Sequence, residues 1–292
     1  MKYHKPVMLD ETLAHLKVVE EGKYIDMTLG DAGHTLEILK KGGKVLGIEI
    51  NEDALRRAQA RISEEGLEKN FTPCLGNFRD IDKLVNSTEF AKVNGILYDL
   101  GYSSYQLDET AIGLSFQSEA PLDMRLSKEL GVTAADIVNS ISEKNLANVI
   151  REYSDERFAN RIAKAIVTNR DLKKIQTTKE LAELIKSETP PDYEKGRIHP
   201  ATRTFQALRI LVNDEIGNLE LSLPRAAQLL LPSGRMIVIS FHSLEDRVVK
   251  QFGRGAQPQL IKVVEKPLEP EEQEVALNPR SRSAKMRIFE KA

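Results

Sequence analysis

The chain has 292 residues and a formal net charge of −2, from 42 lysines and arginines against 44 aspartates and glutamates. This balance excludes a uniformly basic, nucleic-acid-coating protein, so any polyanion that the chain binds must meet a local basic patch. A composition of 41% hydrophobic and 29% charged residues is typical of a globular protein, and the length suggests about two domains.

Strand and helix patterns alternate in the first hundred residues. Short β-branched and aliphatic runs predict strands at 24–27, 45–50, 71–75 and 96–100. Helix-period stretches lie between them, at about 34–41, 52–65 and 78–90. This alternation predicts a parallel sheet with crossover helices, which is the doubly wound α/β class.

The strand pattern stops between about 107 and 222. Amphipathic helices are predicted there at 133–139, 143–151, 155–170, 178–187 and 201–222, and strand patterns return at 235–241, 259–264 and 284–289. We therefore expect an α/β domain made of residues 1–106 and 223–292, with a helical substrate-recognition domain inserted at 107–222. The acidic stretch from Glu265 to Glu274 is interpreted as a solvated loop.

Cys74 is the only cysteine, which excludes an intrachain disulfide and a multi-cysteine zinc site. The first residues lack the apolar segment of a signal peptide, and no apolar run approaches the roughly 20 residues that span a membrane. We expect an unprocessed cytoplasmic protein without a membrane partner and without a metal.

A glycine-containing turn follows the first predicted strand, where open α/β sheets bind ligands. Gly30 and Gly33 permit close approach of a ligand, and Glu49 lies 19 positions after Gly30, where a carboxylate can accept hydrogen bonds from ribose hydroxyls. Neither a G-x-G-x-x-G nor a Walker loop is present. Asp26 and Asp31 in such a loop favour S-adenosylmethionine, whose sulfonium and amino groups are cationic. The alternative is that the glycines only form a tight turn.

Three later segments resemble signature blocks of the bacterial ribosomal RNA small subunit methyltransferase H family, which is MraW-like. They are NGILYDLGYSSYQLD at 94–108, APLDMR at 120–125 and SFHSLEDR at 240–247, and further blocks at 4–8, 199–209 and 278–285 extend the resemblance over the whole chain. This resemblance implies a class I methyltransferase fold and S-adenosylmethionine as cofactor. It also implies methylation of the exocyclic N4 of a cytosine in the decoding region of 16S ribosomal RNA. The RNA partner is expected within a 30S particle.

The resemblance also implies site residues, carried over by position. The expected cofactor contacts are Ala32, Gly33, His34, Glu49, Phe78, Asp99 and Gln106. The expected catalytic residues are Asp99 for positioning, and Asp123, Arg125 or His242 for handling the base. Core packing is the alternative role for Phe78, and a structural role is the alternative for His242.

Basic clusters predict where RNA phosphates bind, because phosphate contacts dominate affinity for RNA. The predicted contacts are Arg197, Arg203 and Arg209 in the insertion and Arg280, Arg282, Lys285 and Arg287 near the C-terminus. For isolated arginines the alternative is a solvated helix face.

The chain departs from the family pattern at Ala32, Glu49 and Tyr102, where the family usually has Gly, Asp and a small aliphatic residue. Tyr102 and Tyr105 flank the loop expected to face the target base, and aromatic rings there can stack a flipped base or narrow the pocket. Two alternatives therefore stay open: a paralogue that methylates another RNA position or base, and a catalytically silent RNA-binding ribosome-assembly factor. Two further questions are left open: whether the substrate is naked RNA or an assembled subunit, and whether the protein is a homodimer or a monomer.

Overall fold

The computed structural model describes Tyr3 and residues 5–86, 88–102, 112–256 and 259–292. The chain divides into two compact units. The first consists of Met1–Ser103 with Ile216–Ala292, and the second consists of Ser104–Glu215. Among the helices in the described ranges, none combines the length and the apolar character that a membrane span requires.

One mixed sheet lies in the first unit. Its strands in the described residues are β1 Lys23–Asp26, β2 Lys44–Glu49, β3 Phe71–Leu75, β4 Val93–Asp99, β5 Leu230–Ser240, β6 Leu260–Lys262 and β7 Lys285–Lys291. Their order is β3-β2-β1-β4-β5-β7-β6. Strands β1 to β5 run parallel, and β7 is antiparallel to β5 and to β6. The predicted α/β fold class is confirmed, and the strand order reverses between β1 and β4.

The helices of the described residues take their numbers in chain order. They are α1 Leu9–Leu16, α2 Gly33–Lys40, α3 Glu52–Glu64, α4 Ile81–Leu84, α5 Ala134–Ser140, α6 Glu143–Ser154, α7 Ala159–Leu172, α8 Thr178–Ser187, α9 Ala201–Asn213, α10 Glu215–Leu229, α11 Ser243–Gly255 and α12 Glu272–Leu277. Helices α5 to α9 belong to the second unit. Two of its helices begin with a capping box, Thr133 with Asp136 and Thr177 with Glu180.

Apolar clusters cover both faces of the sheet. Leu97 of β4 belongs to one cluster, and its neighbours Ile96 and Tyr98 belong to the other. This separation follows from the alternation of side chains along a strand, and a parallel sheet that is buried on both faces needs apolar residues on both. The cores hold the strands rigidly, so the strand ends form a fixed edge.

The helix predicted at 78–90 does not form as one element: Asn77 caps its start, the helix ends at Leu84, and Thr88 caps a separate short segment. The Oδ1 atom of Asn77 accepts a hydrogen bond from Arg79 N at 3.0 Å, and the Oγ1 atom of Thr88 accepts one from Phe90 N at 3.1 Å. Each bond begins a new short segment, and only α4 between them is α-helical.

The single helix predicted at 201–222 is also wrong, because α9 ends at a left-handed residue, Asp214, with φ 48°. The chain then enters α10, whose Leu219 and Leu223 pack in the same cluster as Tyr98 of β4. The division between the compact units therefore follows Glu215, whereas the sequence placed the return to the α/β domain at 223. The sequence patterns predicted none of the helices α1, α11 and α12.

Candidate active site at the strand ends

Three acidic side chains lie at the carboxyl edge of the sheet, where the strand order reverses. Asp26 ends β1, Glu49 ends β2 and Asp99 ends β4. Because these strands are parallel, their carboxyl ends share one edge, which is where open α/β sheets bind ligands. Asp26 is 2% exposed, Glu49 is 6% exposed, and the side chain of Asp99 is 17% exposed.

The glycine-containing loop crosses this edge between β1 and α2. Gly30 and Ala32 have left-handed backbones, with φ 50° and 58°. The Oγ1 atom of Thr28 accepts a hydrogen bond from Asp99 N at 2.7 Å, which ties the loop to β4. Ala32 is fully buried, and its N–H donates to the carbonyl of Leu29 at 2.8 Å. A Cβ on Gly33 would lie 3.1 Å from Pro6, so the close packing at the start of α2 favours glycine there.

Glu49 binds the backbone of the same loop. Its Oε2 accepts a hydrogen bond from Gly30 N at 3.0 Å, and its Oε1 accepts one from Asn51 N at 2.9 Å. Burial raises the pKa of the Glu49 carboxyl to about 7, although both hydrogen bonds oppose this shift. The backbone N–H of Ile50 acts on the carboxyl in the same direction, so about one of its roughly four acceptor positions remains for a ligand.

Asp99 lies beside His34, with 3.7 Å between its Oδ2 and the ring Nδ1. The Nε2 atom of His34 lies 3.0 Å from the carbonyl oxygen of Val7, which assigns the ring proton to Nε2 and leaves the Nδ1 lone pair toward Asp99. Burial lowers the pKa of His34 and raises the pKa of Asp99 to about 7, with Glu245 and Glu274 adding to the latter shift.

Asp26 is the most deeply buried of the three acids. Its Oδ2 accepts a hydrogen bond from the Thr35 hydroxyl at 2.7 Å, and burial raises its pKa. Within the described part of the chain, no lysine or arginine pairs with Asp26, Glu49 or Asp99. Asp31 differs, because Arg57 pairs with it at 3.2 Å, so the expected role of Asp31 in attracting a cationic ligand is not supported.

Phe78 follows β3 and makes an edge contact with Tyr98 of β4. The ring centroids are 5.7 Å apart and the interplanar angle is 81°. Phe78 is half-buried and packs against the cluster that contains Tyr98. It therefore has the core contacts of the packing alternative and also an exposed part.

His242 caps α11. Its Nδ1 accepts a hydrogen bond from Glu245 N at 3.4 Å, and the carboxylate of Glu245 accepts bonds from the backbone N–H groups of Phe241 and His242. The Nε2 atom of His242 lies 3.0 Å from Glu245 Oε1. The ring thus caps the start of the helix through Nδ1, while its buried Nε2 makes no hydrogen bond in the described part of the chain, so both roles given for His242 stay open.

Asp123 and Arg125 pair with each other in the second unit. The Nε and Nη2 atoms of Arg125 donate to the two Asp123 oxygens at 2.7 and 2.8 Å, and its Nη1 donates to the Leu130 carbonyl at 2.7 Å. Met124 between them has φ 65°, and the side chain of Asn213 binds its carbonyl at 2.8 Å. The two charged residues hold a tight loop.

The predicted basic residues fall into three groups. Arg209 pairs with Glu215 at 2.9 and 3.0 Å, and Arg287 pairs with Asp246 at 2.7 and 3.1 Å, so both charges are neutralised. Arg203 donates to the carbonyl oxygen of Asp155 at 2.9 Å and is half-buried, and Lys285 is the half-buried first residue of β7. The exposed group is Arg197, Arg280 and Arg282.

Gln106 and Tyr105 lie outside the described residues. Tyr102 is half-buried and has an interaction partner.

The sequence analysis missed Glu274, which it assigned to a solvated loop. Glu274 lies on α12, its Oε1 accepts a hydrogen bond from Met8 N at 2.9 Å, and it raises the pKa of Asp99. No local pattern signals this contact, because 266 positions separate the two residues.

Comparison with known proteins gives consistent matches. The MraW methylase family matches residues 1–292. The chain is 44% identical over 306 residues to the ribosomal RNA small subunit methyltransferase H of Carboxydothermus hydrogenoformans, with 99% of this chain and 97% of the relative covered. It is 47% identical over 288 residues to the protein of the same name from Deinococcus deserti, with 99% and 93% covered. A crystal structure from Clostridium thermocellum matches with a TM-score of 0.50 and 14% identity over 98% of both chains, which supports the fold alone.

Proposed function

Since this chain belongs to the MraW methylase family, we propose that it methylates the exocyclic N4 of a cytosine in the decoding region of 16S ribosomal RNA. The family and the class I methyltransferase fold make it an S-adenosylmethionine-dependent methyltransferase. The names of the curated relatives support ribosomal RNA of the small subunit as the substrate. The cytosine, its N4 atom and the 30S particle are the parts that we propose.

One observation carries the proposal: the acids at the carboxyl edge of the sheet have no lysine or arginine partner among the described residues. Buried carboxylates ionise readily only when a cation or several hydrogen-bond donors stabilise the charge. S-adenosylmethionine offers a sulfonium, an ammonium and two ribose hydroxyls, so the residues at this edge fit it. When bound, it supplies an electrophilic methyl group.

We assign the cofactor contacts from this fit and from the family resemblance. The remaining acceptor capacity of Glu49 is suited to a ribose hydroxyl, and the exposed part of Phe78 is suited to the adenine. Asp99 is suited to the cationic amino-acid end. The backbone of the loop at Ala32, Gly33 and His34 lies beside these acids. Gln106, outside the described residues, stays a prediction from the resemblance.

The chemistry requires positioning and a late proton acceptor. Cytosine N4 is a poor nucleophile because its lone pair is delocalised into the ring, and holding two reactants in line can lower a barrier by roughly 7–11 kcal/mol. When the N4–carbon bond forms and the sulfur–carbon bond breaks, N4 also loses a proton. Asp99 at the end of β4 is suited to accept it, and the neutral His34 has its Nδ1 atom 3.7 Å from Asp99 Oδ2.

We propose that Asp123, Arg125 and His242 contact the target base and that Arg197, Arg203, Arg280, Arg282 and Lys285 contact RNA phosphates. Asp123, Arg125 and His242 also make the internal hydrogen bonds described above. A loss of activity in a variant of these residues therefore supports a contact with the base only if the stability of the variant is unchanged. The exposed arginines have the simpler expectation, since each phosphate contact adds to the salt dependence of RNA binding.

The test is to map the methylated nucleotide. The purified protein is incubated with S-adenosylmethionine and either 30S particles that lack the modification or naked 16S ribosomal RNA, and nuclease digests are analysed by mass spectrometry. We expect N4-methylcytidine at one decoding-region cytosine, and we expect none with Asp99→Asn, in which the amide cannot accept the proton.

Two other results would replace the proposal. A methyl group at another base or position would establish the paralogue alternative, for which Tyr102 gives a reason. Tyr102→Val would then shift the product toward the cytosine. Tight RNA binding without any methyl transfer would establish the assembly-factor alternative.

A further inference from the structure

A basic cavity of about 160 Å³ lies in the first unit, away from the acidic residues of the sheet edge. Four cationic side chains line it: Lys250 and Arg254 from α11, Lys262 from β6 and Arg287 from β7. Glu265 is the one acidic side chain in the lining, and Val264, Ile288 and Phe289 complete it. A chain with a net charge of −2 thus places four cationic side chains around one small space, of which Arg287 already pairs with Asp246.

The close approach of α11 to β7 builds the cavity. Gly253 of α11 is buried, and a Cβ added there would lie 2.2 Å from the Phe289 ring, so only glycine allows the helix to lie this near the strand. Lys250 precedes Gly253 by one helical turn and Arg254 follows it directly. Both cations are therefore held near Arg287 of β7 by the packing of the helix.

Two of the four cations have no partner in the described part of the chain. Lys250 and Arg254 are exposed and make no hydrogen bond or ion pair there. Lys262 has only Glu265, at 3.5 Å, and the side chain of Glu265 is 86% exposed. Like charges gathered in this way repel one another, and a bound anion would relieve that repulsion.

Arg287 is oriented in advance. Its Nε and Nη2 atoms donate to the two oxygens of Asp246 at 2.7 and 3.1 Å. A guanidinium has five N–H donors, so three remain for a ligand. An arginine held by a carboxylate on one side and open on the other suits an oxyanion.

The volume of the cavity favours a ligand smaller than most organic cofactors. At about 160 Å³, the cavity is smaller than the pockets of roughly 300–1,000 Å³ that small organic ligands occupy. We propose that Lys250, Arg254 and Arg287 bind one phosphate group in this cavity. The phosphate belongs either to the RNA backbone or to a free phosphate ion. An RNA source rests on the proposed function, and a free ion does not.

The test compares the double variant Lys250→Ala/Arg254→Ala with a matched control, Lys41→Ala/Lys69→Ala. The control removes two charges from exposed lysines of the same unit, and Lys69 lies two residues before β3, at the sheet edge opposite β6. Two probes are used with the full-length protein: 16S ribosomal RNA over a series of salt concentrations, and inorganic phosphate by calorimetry. Thermal unfolding of each variant checks the fold.

For an RNA phosphate, the double variant loses RNA affinity by about 2- to 5-fold per cation, and the logarithmic salt slope falls by roughly 0.9 per lost contact. The control variant keeps the wild-type salt slope. Using Arg254→Lys instead of Arg254→Ala in the double variant restores part of the RNA affinity. For a free ion, the double variant loses inorganic phosphate binding while its RNA affinity and slope equal those of the control. Unchanged binding of both probes would overturn the proposal.

Methylation by the wild-type protein is measured separately, so the two proposals fail independently. Absence of N4-methylcytidine with the wild-type protein would remove the proposed function and leave a phosphate-binding cavity. Normal methylation together with unchanged binding in the double variant would remove the cavity and leave the function.

Discussion

The acidic edge of the first unit and the Asp123 loop of the second unit use carboxylates in opposite ways. At the edge, Glu49 and Asp99 are buried without a lysine or arginine partner in the described residues, and their pKa values rise to about 7. In the loop, both oxygens of Asp123 are occupied by Arg125. The loop neutralises its charge internally, whereas the edge needs a ligand to stabilise its charges.

The presence of a cationic partner separates the two kinds of acid. A carboxylate that already has a cationic partner contributes to stability, and its loss weakens the fold. A buried carboxylate without one destabilises the unliganded fold when it ionises, and its loss weakens binding instead. Substitutions of the same chemical type should therefore act in opposite directions in the two regions.

The largest effect is expected for Asp99→Asn on binding of S-adenosylhomocysteine or S-adenosylmethionine. The amide keeps the shape of the protonated acid but cannot pair with a cation, and loss of one partner of a buried charge pair costs about 2–5 kcal/mol. Calorimetry should show affinity lower by roughly 30-fold or more. Asp123→Asn is the matched control and should bind the cofactor normally, so an equal loss in both variants would contradict the comparison.

The second effect concerns pH. The folded pKa values of Glu49 and Asp99 are about 7, above the ordinary 4.5 and 3.8, so the folded state holds more protons between these limits. Stability from this source is complete below the ordinary values and is lost as pH rises through about 7. Each group keeps about one extra proton over roughly two pH units, so the unliganded protein should lose about 5 kcal/mol between pH 5 and pH 8 from these groups.

Urea unfolding of the wild type and of Glu49→Gln/Asp99→Asn at both pH values measures this loss. The double variant should be the more stable protein at pH 8, with a smaller difference at pH 5. Parallel pH profiles for the two proteins would show that these carboxyls ionise without penalty.

The smallest effect is expected for Asp123→Ala on the free energy of unfolding. The substitution leaves the Nε and Nη2 donors of Arg125 without their acceptor beside the left-handed Met124, which should cost about 1–3 kcal/mol. Both side chains are about a quarter exposed, at 26% and 25%, so water offsets part of the loss. Asp171→Ala, at an exposed position of α7, is the control in the same urea titration, and equal midpoints for the two variants would remove the stabilising role.

Local patterns predicted the strands and the acids at their ends, because Glu49 and Asp99 each close an apolar run that is readable from the sequence. The pairing of the charges was not predictable in this way. Asp31 and its partner Arg57 are 26 positions apart, and only the fold brings them together. Asp123 and Arg125 are close in sequence, but a two-residue spacing does not reveal a bidentate pair.

Element boundaries failed where one polar side chain decided them. Thr88 accepts a hydrogen bond from Phe90 N and begins a separate short segment within a stretch that has helical periodicity. Asp214 separates α9 from α10 by a single left-handed residue, whereas the hydrophobic pattern continues across it.

Strands β4 and β5 are neighbours in the sheet but lie far apart in the chain, because β4 ends at Asp99 and β5 begins at Leu230. During synthesis on the ribosome, β1 to β4 emerge first. The backbone groups at the free edge of β4 stay unpaired until the second unit and then β5 have been made. That unit is a continuous stretch whose contacts are mostly its own, so it can fold in the interval. The site around Asp99 is then completed late, and an arrested chain that ends before Leu230 would expose an unpaired edge prone to aggregation.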